Sequence, residues 1–593
     1  EQSLERFFSV FYFSINAGSV ISTFLTPILR TTRIKDSVCK DSCYPLAYGI
    51  PAILMIVACM FFALGSCWYR KKPPTENVLA EFFKVIHNAL VNRRRFKEIS
   101  REHWLDHYLD THYCKYDPKC VAAGKCQKEQ FVQDIKAVLR LLIMYIPFPF
   151  FWMLYDQQGS KWIIQGTEMK GKISDSASLM PDQVPTINPI LILIFIPIFS
   201  GIIYPLFAKC FKVTPLRKMA CGGMLAVVAY VITAVVQLQI QPTLPVRPDT
   251  NTARLQIINY ASCPIVVSLE GKDYNVTNYQ KDVTQLQGEF SANLTIPIEV
   301  DDRKVPVEIS GIGCSVGYKD TLTIEYRKAY LGIVADTKTT VTEEILKKPT
   351  NGEGEFNLGI NFLMDGIPDE GDIAMALCRP KDGLKCSNDD KDDDQRYFPF
   401  KFDHKSLTDH ATMKPGNYVV FLPASPFMLN DTQDTPSYSF YNEAEGGIYI
   451  LSFQGHIKDL EDPSKIQMDG PYRTSPDNTV HVLWQVPQYV VITAGEILFS
   501  ITGLEFSYNQ APLSMKAVLQ AVWLLCIAIG DIIIIFIVEL EIFENQAYVF
   551  FLFAGIMFVV MLVFIAEAHF YFEYRYFINK GDDDDEESEQ AEK

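Results

Sequence analysis

Long apolar runs separated by polar segments dominate both ends of this 593-residue chain. Eight of the runs reach about 20 residues, the length that a helix needs to cross a bilayer. Their number and spacing are typical of a polytopic membrane protein. The predicted spans are residues 7–29, 44–68, 137–156, 185–208, 219–240, 486–508, 517–538 and 546–569.

The pattern changes between the fifth and sixth predicted spans. Runs such as ARLQIINY, TLTIEYRK and GIYILSFQG alternate polar with β-branched or aromatic residues, and Gly, Pro and Asn bound them. At about 245 residues, segment 241–485 has the length of two β-sandwich domains. We therefore predict a mainly α membrane protein with an inserted all-β region.

Basic residues in the loops predict the orientation of the spans. Clusters of Lys and Arg follow the second span and the fourth span, which places both loops on the cytosolic side. Segment 241–485 then faces outside and the acidic tail 570–593 faces the cytosol. The short basic loop 30–40 falls on the outer side and counts against this orientation. Three N-glycosylation sequons support an outer insert, at Asn275, Asn293 and Asn430.

These features together predict six segments. Residues 1–68 and 137–240 carry the first five spans, and 69–136 is a cytosolic linker with lateral helices. Residues 241–485 form the extracellular tandem β-sandwiches. The last three spans lie in 486–569, and 570–593 is the acidic cytosolic tail.

Cysteines on the predicted outer side are candidates for disulfides, because that compartment is oxidising. The candidates are Cys39 with Cys43, Cys263 with Cys314, and Cys378 with Cys386. In the cytosolic linker, Cys114, Cys120 and Cys126 follow three histidines, but their spacing matches none of the usual zinc ligand pairs. We expect reduced thiols there and no metal site.

Net charge excludes one class of function. The formal charge of −16 argues against general nucleic-acid binding. Much of the excess lies in the run DDDDEE near the end of the chain, which is expected to be a solvated segment.

Ionisable residues inside the apolar runs are the candidates for chemistry, because a charged group at membrane depth is costly and normally functional. Glu496 is the clearest case. On an uninterrupted helix it shares a narrow polar stripe with Ser500, and it is expected to be a ligand or proton group. Arg140 and Asp156 are two more such groups, on the third span. The alternative, a helix from a soluble core with satisfied acids, depends on the rest of the chain.

Three stretches carry a resemblance to a known family. FFSVFYFSINAGS at 7–19, FFWMLYDQQGSKW at 150–162 and GEILFSITGLEFSYNQAP at 495–512 are similar to signatures of the proton-coupled oligopeptide transporters. With the long insert, the chain resembles the animal intestinal and renal type. The resemblance implies helices five to twelve of a twelve-helix major facilitator fold. It also implies that the family's amino-terminal helices precede this chain.

The resemblance also implies roles for individual residues. Glu496 would receive the amino terminus of a peptide. Arg140 and Asp156 would serve gating and proton coupling, although the family's aspartate partner of the arginine is replaced by Ser200. The other residues implied in peptide binding are Tyr12, Asn16, Trp152, Asn188 and Trp523.

The predicted function is proton-coupled symport of di- and tripeptides by alternating access. No cofactor is expected beyond the coupling proton, and the expected partners are peptides and the lipid bilayer. The expected location is the plasma membrane, apical in an epithelium. Two alternatives remain open: a multi-pass adhesion or receptor protein that acts through its β-sandwiches, and a related carrier for another small anion. The sequence assigns no partner to the extracellular region.

Overall fold

The computed structural model of the chain divides into two compact units. The first unit comprises Glu1–Ile163, Asp182–Gln237 and Gln485–Lys593, and the second comprises Ile164–Pro181 and Leu238–Trp484. The structure describes residues 2–32, 43–69, 78–111, 126–174, 177–210, 212–248, 252–269, 271–277, 291–297, 303–344, 347–350, 352, 354–366, 370–380, 397–403, 411–422, 438–512, 514–540, 543 and 545–572.

The first unit is helical. Helices satisfy their own backbone hydrogen bonds, which an apolar run needs where water is absent. The described α-helices, of which α6 and α9 continue into the second unit, are α1 (Gln2–Thr31), α2 (Tyr44–Gly65), α3 (Val78–Arg95), α4 (Gln127–Ile143), α5 (Pro147–Tyr155), α6 (Lys161–Thr167), α7 (Ile187–Ile198), α8 (Tyr204–Ala208), α9 (Pro215–Ile240), α10 (Val486–Glu496), α11 (Thr502–Gln510), α12 (Lys516–Glu539) and α13 (Gln546–Phe570). A 3-10 helix at Trp104–Thr111 packs against α3 in the linker.

Six described helical segments are long and apolar enough to cross a membrane, and a seventh results if the bent pair around Pro147 is one span. Eight spans were expected from the sequence. Helix α1, the first expected span, is not among the seven, and its side chains from residue 2 to residue 12 lie outside the described part of the chain.

Three irregularities shape the helical unit. The third span bends by 50° between α4 and α5, where Pro147 has no N–H to continue the helical hydrogen bonding. π-helical turns interrupt two other spans, at Phe199–Ile203 and at Ile497–Ile501. Because a π turn adds a residue to the turn, it rotates the side chains that follow it.

The second unit contains the strands that the structure describes. Its strands are β1 (Lys172–Ser174), β2 (Ala177–Ser178), β3 (Thr252–Asn259), β4 (Ile265–Leu269), β5 (Lys272–Val276), β6 (Ser291–Pro297), β7 (Arg303–Gly311), β8 (Gly317–Ile324), β9 (Ala329–Val334), β10 (Thr339–Glu343), β11 (Phe356–Asp365), β12 (Glu370–Cys378), β13 (Tyr397–Asp403), β14 (Ala411–Met413), β15 (Gly416–Phe421), β16 (Tyr438–Asn442), β17 (Ile448–His456) and β18 (Gln467–Ser475).

Sixteen of these strands form four-stranded sheets. Their orders are β10-β9-β3-β6, β5-β4-β7-β8, β14-β11-β17-β18 and β13-β12-β15-β16. The pairs β3/β9 and β11/β17 are parallel, and the other pairs in these four sheets are antiparallel.

The sheets share apolar cores in pairs. Leu255 of the first sheet packs with Val267 and Val307 of the second, and Phe362 of the third packs with Met375 of the fourth. A third cluster joins the first and third sheets across Ile258, Leu331, Leu363, Ile450 and Tyr472. Strands β9 and β11 are consequently buried on both faces, so they are continuous apolar runs rather than alternating ones.

Residues 164–181 lie in the strand unit, although the sequence assigned all of 137–240 to helices and their loops. Backbone hydrogen bonds fix the segment: the Lys170 N–H donates to Val480, and the Val482 N–H donates back to Lys170. The buried Glu445 carboxylate also accepts from the Gly171 N–H at 3.1 Å. Sequence patterns do not show these contacts because their partners are about 270 to 310 residues apart.

Cys263 and Cys314 form a disulfide. Cys43, Cys126 and Cys378 are also disulfide-bonded. The expectation of a reduced thiol is therefore wrong at Cys126. The candidate cysteines Cys39 and Cys386, like Cys114 and Cys120, lie outside the described residues.

Candidate functional site

A buried carboxylate with an amide partner lies at the centre of the helical unit. Glu496 is the last residue of α10 and its side chain is buried. Asn188, in the first turn of α7, donates from Nδ2 to Glu496 Oε2 at 2.9 Å and also to Thr493 Oγ1 at 2.9 Å. The Tyr155 hydroxyl donates to Asn188 Oδ1 at 3.2 Å. Three helices thus hold one carboxylate through a single amide.

Two glycines place α10 close to α9. A Cβ added at Gly495 would lie 2.8 Å from the Gly222 carbonyl oxygen, and one added at Gly222 would lie 2.7 Å from the Gly495 carbonyl oxygen. The two backbones therefore cross in direct contact, a packing that only glycine permits. Because Gly495 precedes Glu496, this crossing fixes the height and rotation of the carboxylate.

Aromatic rings of three helices surround the same region. Trp152 of α5 and Trp523 of α12 meet edge to face with ring centroids 6.1 Å apart. Trp523 also contacts Phe148 at 4.8 Å, and Phe151 stacks on Phe499 at 4.3 Å. Edge-to-face and offset contacts at these distances add to the apolar burial. The cluster forms a rigid wall between α5, α12 and the π turn.

Trp152 carries a polar group that the protein does not satisfy. Its indole Nε1 is buried and has no hydrogen-bond partner among the described residues. A buried donor without a partner costs free energy that a bound carbonyl or water can recover. A ligand or water that reached this donor would recover that free energy.

Two acids of different helices form a second polar pair. The carboxyl group of Asp156, which follows α5, lies close enough to that of Asp531 of α12 for the two groups to interact. Gly530 allows this approach, since a Cβ there would lie 2.6 Å from the Pro149 carbonyl oxygen. A hydrogen bond between two carboxyl groups requires a proton on one of them.

Arg140 lies in the last turn of α4, on a different helix from Asp156. Its Nη2 donates to the Tyr571 carbonyl oxygen at 3.3 Å, and its guanidinium lies 5.8 Å from the Tyr571 ring and 5.9 Å from the Phe572 ring. These contacts give Arg140 partners at the end of α13. Arg140 thus joins α4 to the end of α13.

The remaining predicted residues have varied placements. Asn16 is buried on α1, which packs against α7. Ser500 is half-buried inside the π turn, so the stripe predicted for an uninterrupted helix does not extend regularly from Glu496 to it. Asn275 is exposed on β5. The side chains of Tyr12 and Asn293, and the whole of Asn430, lie outside the described residues.

Sequence reasoning missed Thr493 and Tyr155, which complete the hydrogen bonds around Asn188. Thr493 precedes Glu496 by three residues, a helical spacing that would have identified it. Tyr155 comes from another helix and had no such signal. No group of three or more His, Cys, Asp and Glu side chains is arranged to bind a metal within the described ranges.

These apolar helices and their buried polar groups define a multi-pass membrane protein with a polar site inside its bundle. The family model described as the POT family matches residues 1–287 and 463–570. The chain is 37% identical to Peptide transporter family 1 of Caenorhabditis elegans, over 99% of this chain and 75% of that protein. It is 35% identical to Solute carrier family 15 member 1 of Rattus norvegicus, over 96% of this chain and 73% of that protein. The chain belongs to the POT family, and it is a transporter rather than an enzyme.

Proposed function

We infer that this protein couples the inward movement of protons to the uptake of di- and tripeptides by alternating access. Two of its relatives in Caenorhabditis elegans are named as peptide transporters. The observation that carries the proposal is the buried Asn188–Glu496 pair. A buried carboxylate is costly without a cation, and the ammonium group of a peptide supplies one.

We propose that the rest of the peptide meets the aromatic wall. Trp152 and Trp523 would line the space for side chains, and the unpartnered Trp152 Nε1 would donate to a peptide carbonyl. Asn16 on α1 and Tyr12 four residues before it would bind the peptide backbone. Ser500 would be a lesser contact because the π turn sets it off the Glu496 stripe.

Proton coupling would involve two places. The Asp156–Asp531 pair would hold and release a proton, and Glu496 would exchange a proton as the peptide amino group arrives and leaves. Arg140 would act in gating, because it joins α4 to the end of α13. Proton entry is favoured by the membrane potential, worth about 2.3 kcal/mol per charge for each 100 mV.

We further propose that the spans are helices five to twelve of a major facilitator fold in the plasma membrane, apical in an epithelium. Each pair of sheets that shares a core would be one β-sandwich domain, and both would face outside. The exposed sequon at Asn275 and the Cys263–Cys314 disulfide support an extracellular location.

Uptake of a labelled dipeptide at pH 5.5 and pH 7.5, in cells expressing the transport-competent protein, tests this function. We expect faster uptake at pH 5.5. Glu496→Gln should abolish most of the uptake, whereas deletion of 243–485 should reduce it less. An adhesion or receptor protein would show the opposite order of severity in its own activity. A carrier of another small anion would show no dipeptide uptake at either pH.

A further inference from the structure

A basic pocket lies in the linker between α2 and α4. It has a volume of about 550 Å³ and is lined by Arg93, Lys97, Arg101, His103 and His107, with the rings of Phe96 and Trp104. The neighbouring Arg94 and Arg95 are exposed in the last turn of α3. Two acids are also present, Glu98 nearby and Glu102 in the lining. Because the Arg and Lys residues outnumber these two acids, the surface is net positive.

Hydrogen bonds of two buried side chains hold the pocket residues in place. The Asp110 side chain, which is 1% exposed, accepts from Arg101 Nε at 2.9 Å and pairs with His107 Nδ1 at 2.7 Å. Asn92 Nδ2 donates to the His107 carbonyl oxygen at 2.8 Å, which ties this segment to α3. Burial opposes ionisation of Asp110, but hydrogen bonds from His107 and Arg101 outweigh it and lower its pKa. The basic face is therefore preformed.

The end of the last helix lies on the same end of α4 as the pocket. Lys136 Nζ of α4 pairs with Asp106 Oδ1 at 2.6 Å, and the Asp106 N–H donates to the His103 carbonyl oxygen at 3.0 Å. Arg140, one helical turn or about 6 Å further along α4, contacts Tyr571 and Phe572. Pocket and chain end are thus connected through one turn of one helix.

The chain beyond Phe572 continues through EYRYFINKG to an acidic run, DDDDEE at 582–587. Nine residues lie between Phe572 and Asp582, and ten steps of about 3.3–3.6 Å each give an extended chain a reach of roughly 33 Å. The contacts that lead from Phe572 towards the pocket run through Arg140, Lys136 and Asp106. A tether of this length starts at a residue that contacts α4, the helix that also contacts the pocket segment.

We propose that the acidic run 582–587 docks on the basic pocket formed by Arg93, Lys97 and Arg101 with Arg94 and Arg95. Opposite charge selects the occupant, and the short connection raises its effective concentration well above that of a free polyanion. The docked tail joins the end of α13 to the linker between the two groups of spans. It restrains the linker whichever substrate the transporter carries.

Acylation of Lys97 in the intact protein tests this docking. A water-soluble acetylating ester reports the reactivity of Lys97 by mass spectrometry, with the exposed Lys209 as the internal control. When residues 582–587 are replaced by Asn and Gln, Lys97 should react about threefold faster at low salt, and Lys209 should not change. The difference should shrink at 0.5 M salt. Equal Lys97 rates with the native and the neutral tail would overturn the proposal.

Two further variants and two membrane compositions distinguish docking of the tail from binding of lipid headgroups. Arg93→Glu with Arg94→Glu should expose Lys97 despite the native tail. Replacing residues 582–587 by lysine in this double variant should protect Lys97 again. If the charge exchange fails to restore protection, docking is refuted. The same rates are measured in nanodiscs of phosphatidylcholine alone and with phosphatidylserine. Protection that follows phosphatidylserine and ignores the tail would also overturn the proposal and assign the pocket to lipid headgroups.

Discussion

Asn188 donates both of its short hydrogen bonds to α10, one to the Glu496 carboxylate and one to the Thr493 hydroxyl, across 308 and 305 residues of sequence. The same amide accepts from Tyr155. Because its oxygen and nitrogen are both engaged, the amide cannot rotate without losing a bond. The carboxylate is therefore presented in one orientation, as a site for a single cationic group requires.

The first prediction concerns the peptide amino group. Glu496→Gln keeps the side chain's size and removes its charge, so we expect dipeptide affinity to fall about 10- to 100-fold, the loss of a charge-assisted hydrogen bond. Competition by unlabelled dipeptides against a labelled one measures the affinity.

An N-acetylated dipeptide serves as the control ligand. It has no ammonium group, so its weak binding should be equal in the Glu496→Gln variant and the native protein. If Glu496→Gln weakens the blocked and the free dipeptide equally, Glu496 does not bind the amino terminus.

The second prediction concerns the crossing of α9 and α10. Gly222→Ala puts a methyl group 2.7 Å from the Gly495 carbonyl oxygen, so the helices must separate. We expect the free energy of unfolding to fall by about 1–3 kcal/mol. Peptide affinity should also fall, because Glu496 moves with its backbone. Thermal unfolding in detergent and peptide competition measure the two effects.

Gly555→Ala in α13 is the matched control. No atom lies within 4 Å of the added Cβ there, and alanine favours a helix by about 0.5–1 kcal/mol over glycine. It should leave stability equal or slightly raised. A Gly222→Ala protein as stable as Gly555→Ala would show that the close crossing does not matter.

The third prediction concerns the contact of Arg140 with the end of α13. Arg140→Gln and Phe572→Leu each remove one side of the cation–π contact at 5.9 Å. In a double-mutant cycle, thermal stability should show a coupling of about 0.5–1 kcal/mol. The same cycle between Arg140 and Phe570, whose side chain is 85% exposed, should show none. Equal coupling in both cycles would contradict a specific contact.

The fourth prediction concerns pH and the strand unit. Burial lowers the pKa of Lys348 to about 8, although Glu168 and Asp477 oppose the shift. An unfolded lysine titrates near 10.4, so between these values the unfolded state binds more protons than the folded state. Stability should therefore rise by about 2 kcal/mol from pH 7.5 to pH 9.5. Pulse proteolysis in urea on the intact protein measures it.

Lys348→Met should flatten this pH dependence, since methionine carries no proton to lose. Lys347→Met at the exposed neighbouring position should retain the rise. The window stops at pH 9.5 because unfolded tyrosines lose protons near pH 10, whereas burial raises the pKa of Tyr438 in the folded unit. A slope that survives in Lys348→Met would assign the effect to another group.

The sequence predicted what depends on local composition. Apolar runs of about 20 residues identified six or seven of the eight expected spans, and a charged residue inside such a run identified Glu496 as a candidate, because both signals are complete within one segment. The strand-rich insert was recognised for the same reason, from its runs of β-branched and aromatic residues. The short apolar runs themselves did not show which strands are neighbours.

Only the tertiary structure decided the relationships between distant segments. It brought Tyr155 and Asn188 to Glu496, placed Asp531 beside Asp156, and joined Arg140 to the Tyr571 carbonyl group. It also rotated Ser500 out of the predicted stripe through a π turn. Such contacts depend on how helices cross, and a crossing is set by packing between segments that no single window of sequence contains.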